Sequence, residues 1–158
     1  MTFKMNNGLV GVATLGMAAL SGCGGGGAAL SSVPKDQCQQ VIDTVKTKAD
    51  LPPTAVTQYA GQWTIVLDNK VGQGAIHRII ERDGKVVLQA LANAEQGMTS
   101  MDQQSVLMEW IGSSDEQGLY LYTRGDRRVP LWLRYSTGTL EGTMTTESCE
   151  GKQYQFLR

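Results

Sequence analysis

The stretch Ala75-Ile76-His77-Arg78-Ile79-Ile80-Glu81-Arg82-Asp83-Gly84-Lys85-Val86-Val87-Leu88-Gln89-Ala90-Leu91 reads as two strands joined by a tight turn. Asp83-Gly84 is the dipeptide that suits a type I′ hairpin, where both central residues take positive φ and the turn follows the twist of its strands. Outward from this hairpin the chain keeps the two-residue period of a half-buried strand. Upstream, Trp63, Ile65 and Leu67 alternate with Thr64, Val66 and Asp68. Downstream, Val106, Met108 and Trp110 alternate, followed by Leu119 to Thr123 and by Leu131, Leu133 and Tyr135. Ser136-Thr137-Gly138 turns the chain into Leu140 to Thr146, and Tyr154 and Phe156 belong to a last strand ending at Arg158. About eight strands at short spacing, with no helical period between them, predict a mostly β fold. An antiparallel meander of that kind removes its edges by curling, so the expected architecture is a small antiparallel β-barrel or rolled sheet.

One helix is expected, and it precedes the strands. Cys38, Val41, Ile42, Val45 and Ala49 recur at steps of three and four between Lys35 and Ala49, with Lys46 and Lys48 off the stripe. Pro52-Pro53 ends it. Before it, Gly24 to Gly27 and the small residues up to Pro34 read as a flexible tether. The predicted organisation is therefore a cleaved segment 1–22, a tether 23–34 and a single β domain 35–158 with its N-terminal helix. The 136 residues left after removal of 1–22 suit one domain.

The cleaved segment has a positive start at Lys4, an apolar run from Leu9 to Leu20 and then two small residues before Cys23. This is the layout of a secretory signal peptide, and the run of about 12 residues is short of the roughly 20 that span a bilayer. Leu20-Ser21-Gly22-Cys23 resembles the lipobox of bacterial lipoproteins. The resemblance implies that Cys23 is lipidated, that the signal is cut before it and that the new amino terminus is acylated. Two or more acyl chains hold a protein stably on a membrane. Gly24 in place of an aspartate implies, by the same resemblance, an outer-membrane lipoprotein of the cell envelope on its periplasmic face or at the cell surface.

With Cys23 assigned to lipid, Cys38 and Cys149 remain as a pair in an oxidising compartment and are expected to form a disulfide. The mature chain carries 13 basic residues against 15 acidic ones, a net charge of −2, which argues against nucleic acid as a partner. Cys38, Cys149 and the lone His77 match no metal-ligand spacing, and no phosphate-binding glycine loop or hydrolase motif is present, so no cofactor and no catalytic residue is expected. His77 lies beside Arg78 without an identifiable nucleophile, and Glu81, Asp83, Asp115 and Glu116 fall at turns.

Two further resemblances concern the barrel. Gly61-Gln62-Trp63 is similar to the Gly-x-Trp signature of lipocalins, which implies a tryptophan at the barrel floor covered by a late arginine, with Arg158 or Arg134 as the candidate. A carrier of that type would hold a small apolar ligand among inward residues such as Ile65, Val106 and Met108. Leu119-Tyr120-Leu121-Tyr122-Thr123-Arg124-Gly125-Asp126 is similar to a segment of membrane-bound inhibitors of c-type lysozyme. There a basic loop residue, here Arg124, enters the lysozyme cleft together with a serine from a Ser-Gly-x-x-Tyr loop. Ser113-Ser114-Asp115 is the nearest stretch to that second motif and lacks its glycine and tyrosine.

The residues themselves point to binding rather than catalysis. Arg124, Arg127 and Arg128 lie within five residues around Gly125-Asp126, and arginine forks grip carboxylates or phosphates. If Leu119 and Leu121 fill the core, Tyr120, Tyr122 and Trp132 face the other way as an exposed aromatic patch. The expected function is a non-enzymatic envelope lipoprotein. It would bind another envelope or extracellular protein through Tyr120, Tyr122, Arg124, Asp126, Arg127, Arg128 and Trp132.

Overall fold

The computed structural model describes residues 30–67, 70–71, 76–92 and 105–158. The segment 1–22 expected to be cleaved, Cys23 and residues 24–29 of the expected tether lie outside the described residues. Ser31–Ser32 (β1) leads through the buried Val33 into helix α1, Lys35–Lys48, and a single turn of helix α2 follows at Val56–Tyr59. Among the described residues nine strands come after it: β2 Gly61–Leu67, β3 Lys70–Val71, β4 Ile76–Arg82, β5 Lys85–Leu91, β6 Val106–Asp115, β7 Gly118–Thr123, β8 Pro130–Ser136, β9 Thr139–Thr145 and β10 Glu150–Leu157.

Strand follows strand in an antiparallel meander from β4 to β10, and β10 returns to pair with β2. Phe156 lies opposite Ile65 there, and Gln155 opposite Val66. That pairing closes the sheet. The expected barrel is present with eight long strands, while β1 and β3 are short additions on β10 and β2. Asp83 and Gly84 both take positive φ, 53° and 70°, and join Arg82 directly to its partner Lys85, as the hairpin reading requires. Thr137 and Gly138, at 46° and 85°, form the same kind of turn between β8 and β9.

Inward positions alternate along every long strand. Trp63, Ile65, Ile79, Val86, Leu88, Trp110, Leu119, Leu121, Leu131, Leu133, Leu140 and Phe156 form one buried cluster inside the barrel. The hairpins at 83–84, 116–117 and 137–138 gather at one end. There Tyr59 donates its hydroxyl to the Asp115 carbonyl at 2.6 Å, and its carbonyl accepts the Trp63 indole N–H at 2.8 Å. Arg158 closes this floor. Its guanidinium lies 5.2 Å from the Trp63 ring and donates to the carbonyls of Gln58 and Ala60. Arg134 instead lies over Trp132 on the outer wall, 5.5 Å from its ring.

Helix α1 covers a face of the barrel wall, not a mouth. Val41, Val45 and Ala49 pack on Tyr120, with Tyr122 and Trp132 at the margin. The predicted disulfide is formed: Cys38 is bonded to Cys149, which sits in the β9–β10 turn and not within a strand. Gln37 adds a hydrogen bond to Thr143 on β9 at 3.0 Å. Lys48, at the other end of the helix, reaches Asp115 at 2.8 Å and the Tyr120 hydroxyl at 2.9 Å.

Candidate functional site

The leucines of β7 do fill the barrel, and Tyr120 does point the other way. It is nevertheless 1% exposed, because α1 lies on it. Tyr120 stacks on Trp132 with ring centres 6.5 Å apart, and its hydroxyl donates to the Asp115 carboxylate at 2.9 Å. The aromatic patch expected from alternation is therefore the helix seat rather than an open surface. Alternation assigns a residue to a face of the sheet and does not say what covers that face.

The arginines are exposed but organised. They occupy the β7–β8 connection at the barrel end opposite the floor, which we call the open end. The Thr123 hydroxyl donates to the Arg127 carbonyl at 2.7 Å and accepts the Val129 amide at 2.9 Å, so one side chain fixes the loop across its base. The Arg124 amide donates to the Glu109 carbonyl at 2.9 Å. Gly125 takes φ 141°, a conformation that side chains rarely adopt. Arg128 folds back over Tyr122, 4.3 Å from its ring, and lies 3.6 Å from the Asp50 carboxylate. Asp126 and Arg127 point to solvent at the tip.

Below the loop is a cluster that the sequence reading did not assemble. Glu109 on β6 accepts two hydrogen bonds from Arg82, at 2.8 and 3.0 Å, one from Arg124 at 2.6 Å and one from Gln89 at 2.6 Å. Its side chain is only 9% exposed, against 64% for Arg124. The Arg82 contact, with help from Arg124 and Gln89, outweighs the cost of burial and holds the Glu109 carboxyl down at about 2. Register brings the cluster together: Gln89 is the direct cross-strand partner of Glu109, and Arg82 and Arg124 reach in from strands or loops on either side. In sequence these residues are up to 42 positions apart, and only the strand order makes them neighbours.

A second cluster joins helix to barrel. Lys48 meets both Asp115 and Tyr120, and its pKa is raised, chiefly by the hydrogen bond to Asp115. For Asp115 burial works upward, but hydrogen bonds from Lys48, Tyr120 and the Gln117 amide outweigh it, so the carboxyl lies below its ordinary value. Burial pushes the Tyr120 hydroxyl up.

The remaining candidates are placed as follows. His77 is buried in the barrel, its ring edge-on to Phe156 at 5.0 Å. Ser113 and Ser114 are buried within β6, so this stretch presents no exposed serine loop beside Arg124. Ile65 belongs to the packed interior, whereas Val106 and Met108 are 43% and 49% exposed at the open end. They do not line a closed chamber with Ile65. A shallow cavity of about 570 Å³ lies instead between Val106, Leu107, Met108, Glu109 and Arg124. A second, of about 620 Å³, runs from Leu30 past Arg127 to Pro130 and the turn at Thr146 to Ser148. Among the described residues no group of acidic, histidine or cysteine side chains is placed to hold a metal ion.

No family of known proteins, no curated protein and no solved structure matches the chain.

The arrangement can hold anions. Among the described residues no side chain pairs with the Arg127 guanidinium at the tip, while Arg124 and Arg128 are pre-positioned by Glu109 and Tyr122 with donors left over, since a guanidinium has five.

Proposed function

We propose that the chain is a non-enzymatic envelope lipoprotein, held by a lipidated Cys23. In this reading its barrel presents the arginine loop to anionic groups, carboxylate or phosphate, of another envelope component. The observation that carries the reading is the bracing of Arg124 to Arg128 at one barrel end by Thr123, Glu109 and Tyr122. Preorganised arginines lose little freedom on binding, which favours recognition by paired N–H donors. The lipobox supplies the anchor, and the burial of His77 among aromatic side chains supports binding over catalysis.

The test is in cells. A photo-crosslinking amino acid at position 127 is expected to trap an envelope component, and one at Glu116, on the floor end, is not. Charge reversal of Arg124 and Arg128 should abolish the adduct. Equal yields at 127 and 116, or an adduct that survives the reversal, would refute loop-mediated binding. Purified c-type lysozyme, assayed with wild type and Arg124→Glu, tests the inhibitor resemblance separately.

A further inference from the structure

We infer that the anionic component taken by the arginine loop is the phosphate layer of the bilayer that anchors the chain, so that the open end of the barrel is its membrane-facing end. This rests on lipidation of Cys23, as proposed above. The described chain begins at Leu30, which lines the same cavity as Arg127, Arg128 and Pro130. The tether thus reaches the domain beside the arginine loop. Seven residue steps lead from Cys23 to Leu30, and at full extension they span at most about 25 Å. The barrel is of similar length: its eight long strands run from six residues in β7 to ten in β6, about 20 to 34 Å, or about 16 to 26 Å along the axis at the usual strand tilt. A floor-down orientation would place Leu30 about a barrel length above the bilayer and take up most of the tether's reach. An open-end-down orientation demands nothing of it.

The described residues of the rim at that end have the composition of an interfacial contact. Leu30 is 49% exposed and Leu107 63%. Leu107 and Met108 share a cavity with Arg124, so apolar side chains and guanidinium groups stand side by side. Leucine and methionine enter the headgroup boundary while arginine forks take phosphate oxygens. Asp126, Glu147 and Glu150 lie on the same end, so the rim is mixed in sign among the described residues. The contact is therefore made by arginine–phosphate pairing and shallow apolar insertion, not by a net positive field.

The experiment uses the full lipidated chain reconstituted in vesicles of phosphatidylethanolamine and phosphatidylglycerol. A fluorescent amino acid replaces Asp126 in one protein and Glu116 in another, and a quencher is attached to lipid headgroups. Mass analysis of the N-terminal fragment reads acylation of Cys23. Quenching at 126 is expected to exceed that at 116 about fivefold, and the pair Arg127→Glu, Leu107→Ser to bring the two together. With Cys23 acylated, equal quenching at both sites, or more at 116, overturns the docking and leaves the anchor standing. An unmodified Cys23 overturns both.

Discussion

At the scale of single residues, Glu109 shows how the sheet turns scattered charges into one structural unit. Its carboxyl titrates at about 2 in the folded chain against an ordinary 4.5, mainly because Arg82 grips both oxygens. A depressed carboxyl stabilises the fold fully above about pH 4.5, and that contribution is lost as the pH falls through about 2. Partial exposure of the arginines screens the interaction, leaving about 2 kcal/mol at neutral pH. Urea unfolding of wild type and Glu109→Gln at pH 7, 4.5 and 2 should therefore show the wild-type advantage shrinking with acid. Parallel pH slopes for the two proteins would show that the clasp contributes nothing. The same substitution releases Arg124, so it is also expected to loosen the loop that the proposed binding uses.

At the scale of elements, α1 is a cover rather than part of the barrel closure, which runs through β10 and β2. Its attachment is a three-residue apolar stripe, the Gln37 and Lys48 contacts and the Cys38–Cys149 bond, which spans 111 positions. Replacing both cysteines by alanine should cost about 3 to 5 kcal/mol, since the unfolded chain regains the freedom of a long loop. If the helix then detaches while the barrel persists, Trp132 fluorescence shifts to the red before the strand signal in circular dichroism is lost. A single transition seen by both probes would mean that helix and barrel form one cooperative unit.

The strands, the helix and the disulfide partners were legible in the sequence because each is a local period, a turn dipeptide or a parity argument. The cover was not. Val41, Val45 and Ala49 announce an apolar face, and Tyr120 and Trp132 announce another, but which faces meet depends on three-dimensional placement. The Glu109 cluster was hidden for the same reason. Gly142 carries a different lesson: a Cβ there would stand 1.7 Å from the Trp132 carbonyl oxygen, a demand for glycine set wholly by the neighbouring strand.

At the scale of the molecule, the decisive property is that the described interior is filled. Leu119, Leu121, Leu131, Leu133, Leu140 and Phe156 are all without solvent exposure, and Trp63 and Tyr59 plug the floor beneath them. Eight strands enclose just enough room for side chains or for one small ligand, and large residues at these positions take the room for themselves. A carrier would replace some of them by smaller ones. Leu133→Ala makes the change deliberately. It should cost about 2 to 5 kcal/mol through lost burial and the void left behind, with the larger figure if the rigid closed sheet cannot collapse. A rigid wall keeps the void open, and an apolar void of that kind takes up small apolar probes. Xenon or benzene is therefore expected to raise the melting temperature of Leu133→Ala and to leave wild type unchanged. If wild type responds equally, the interior already holds space, and the carrier resemblance regains its footing. If neither responds while the variant loses less than about 1 kcal/mol, the barrel wall has closed on the gap and is softer than its continuous hydrogen bonding implies.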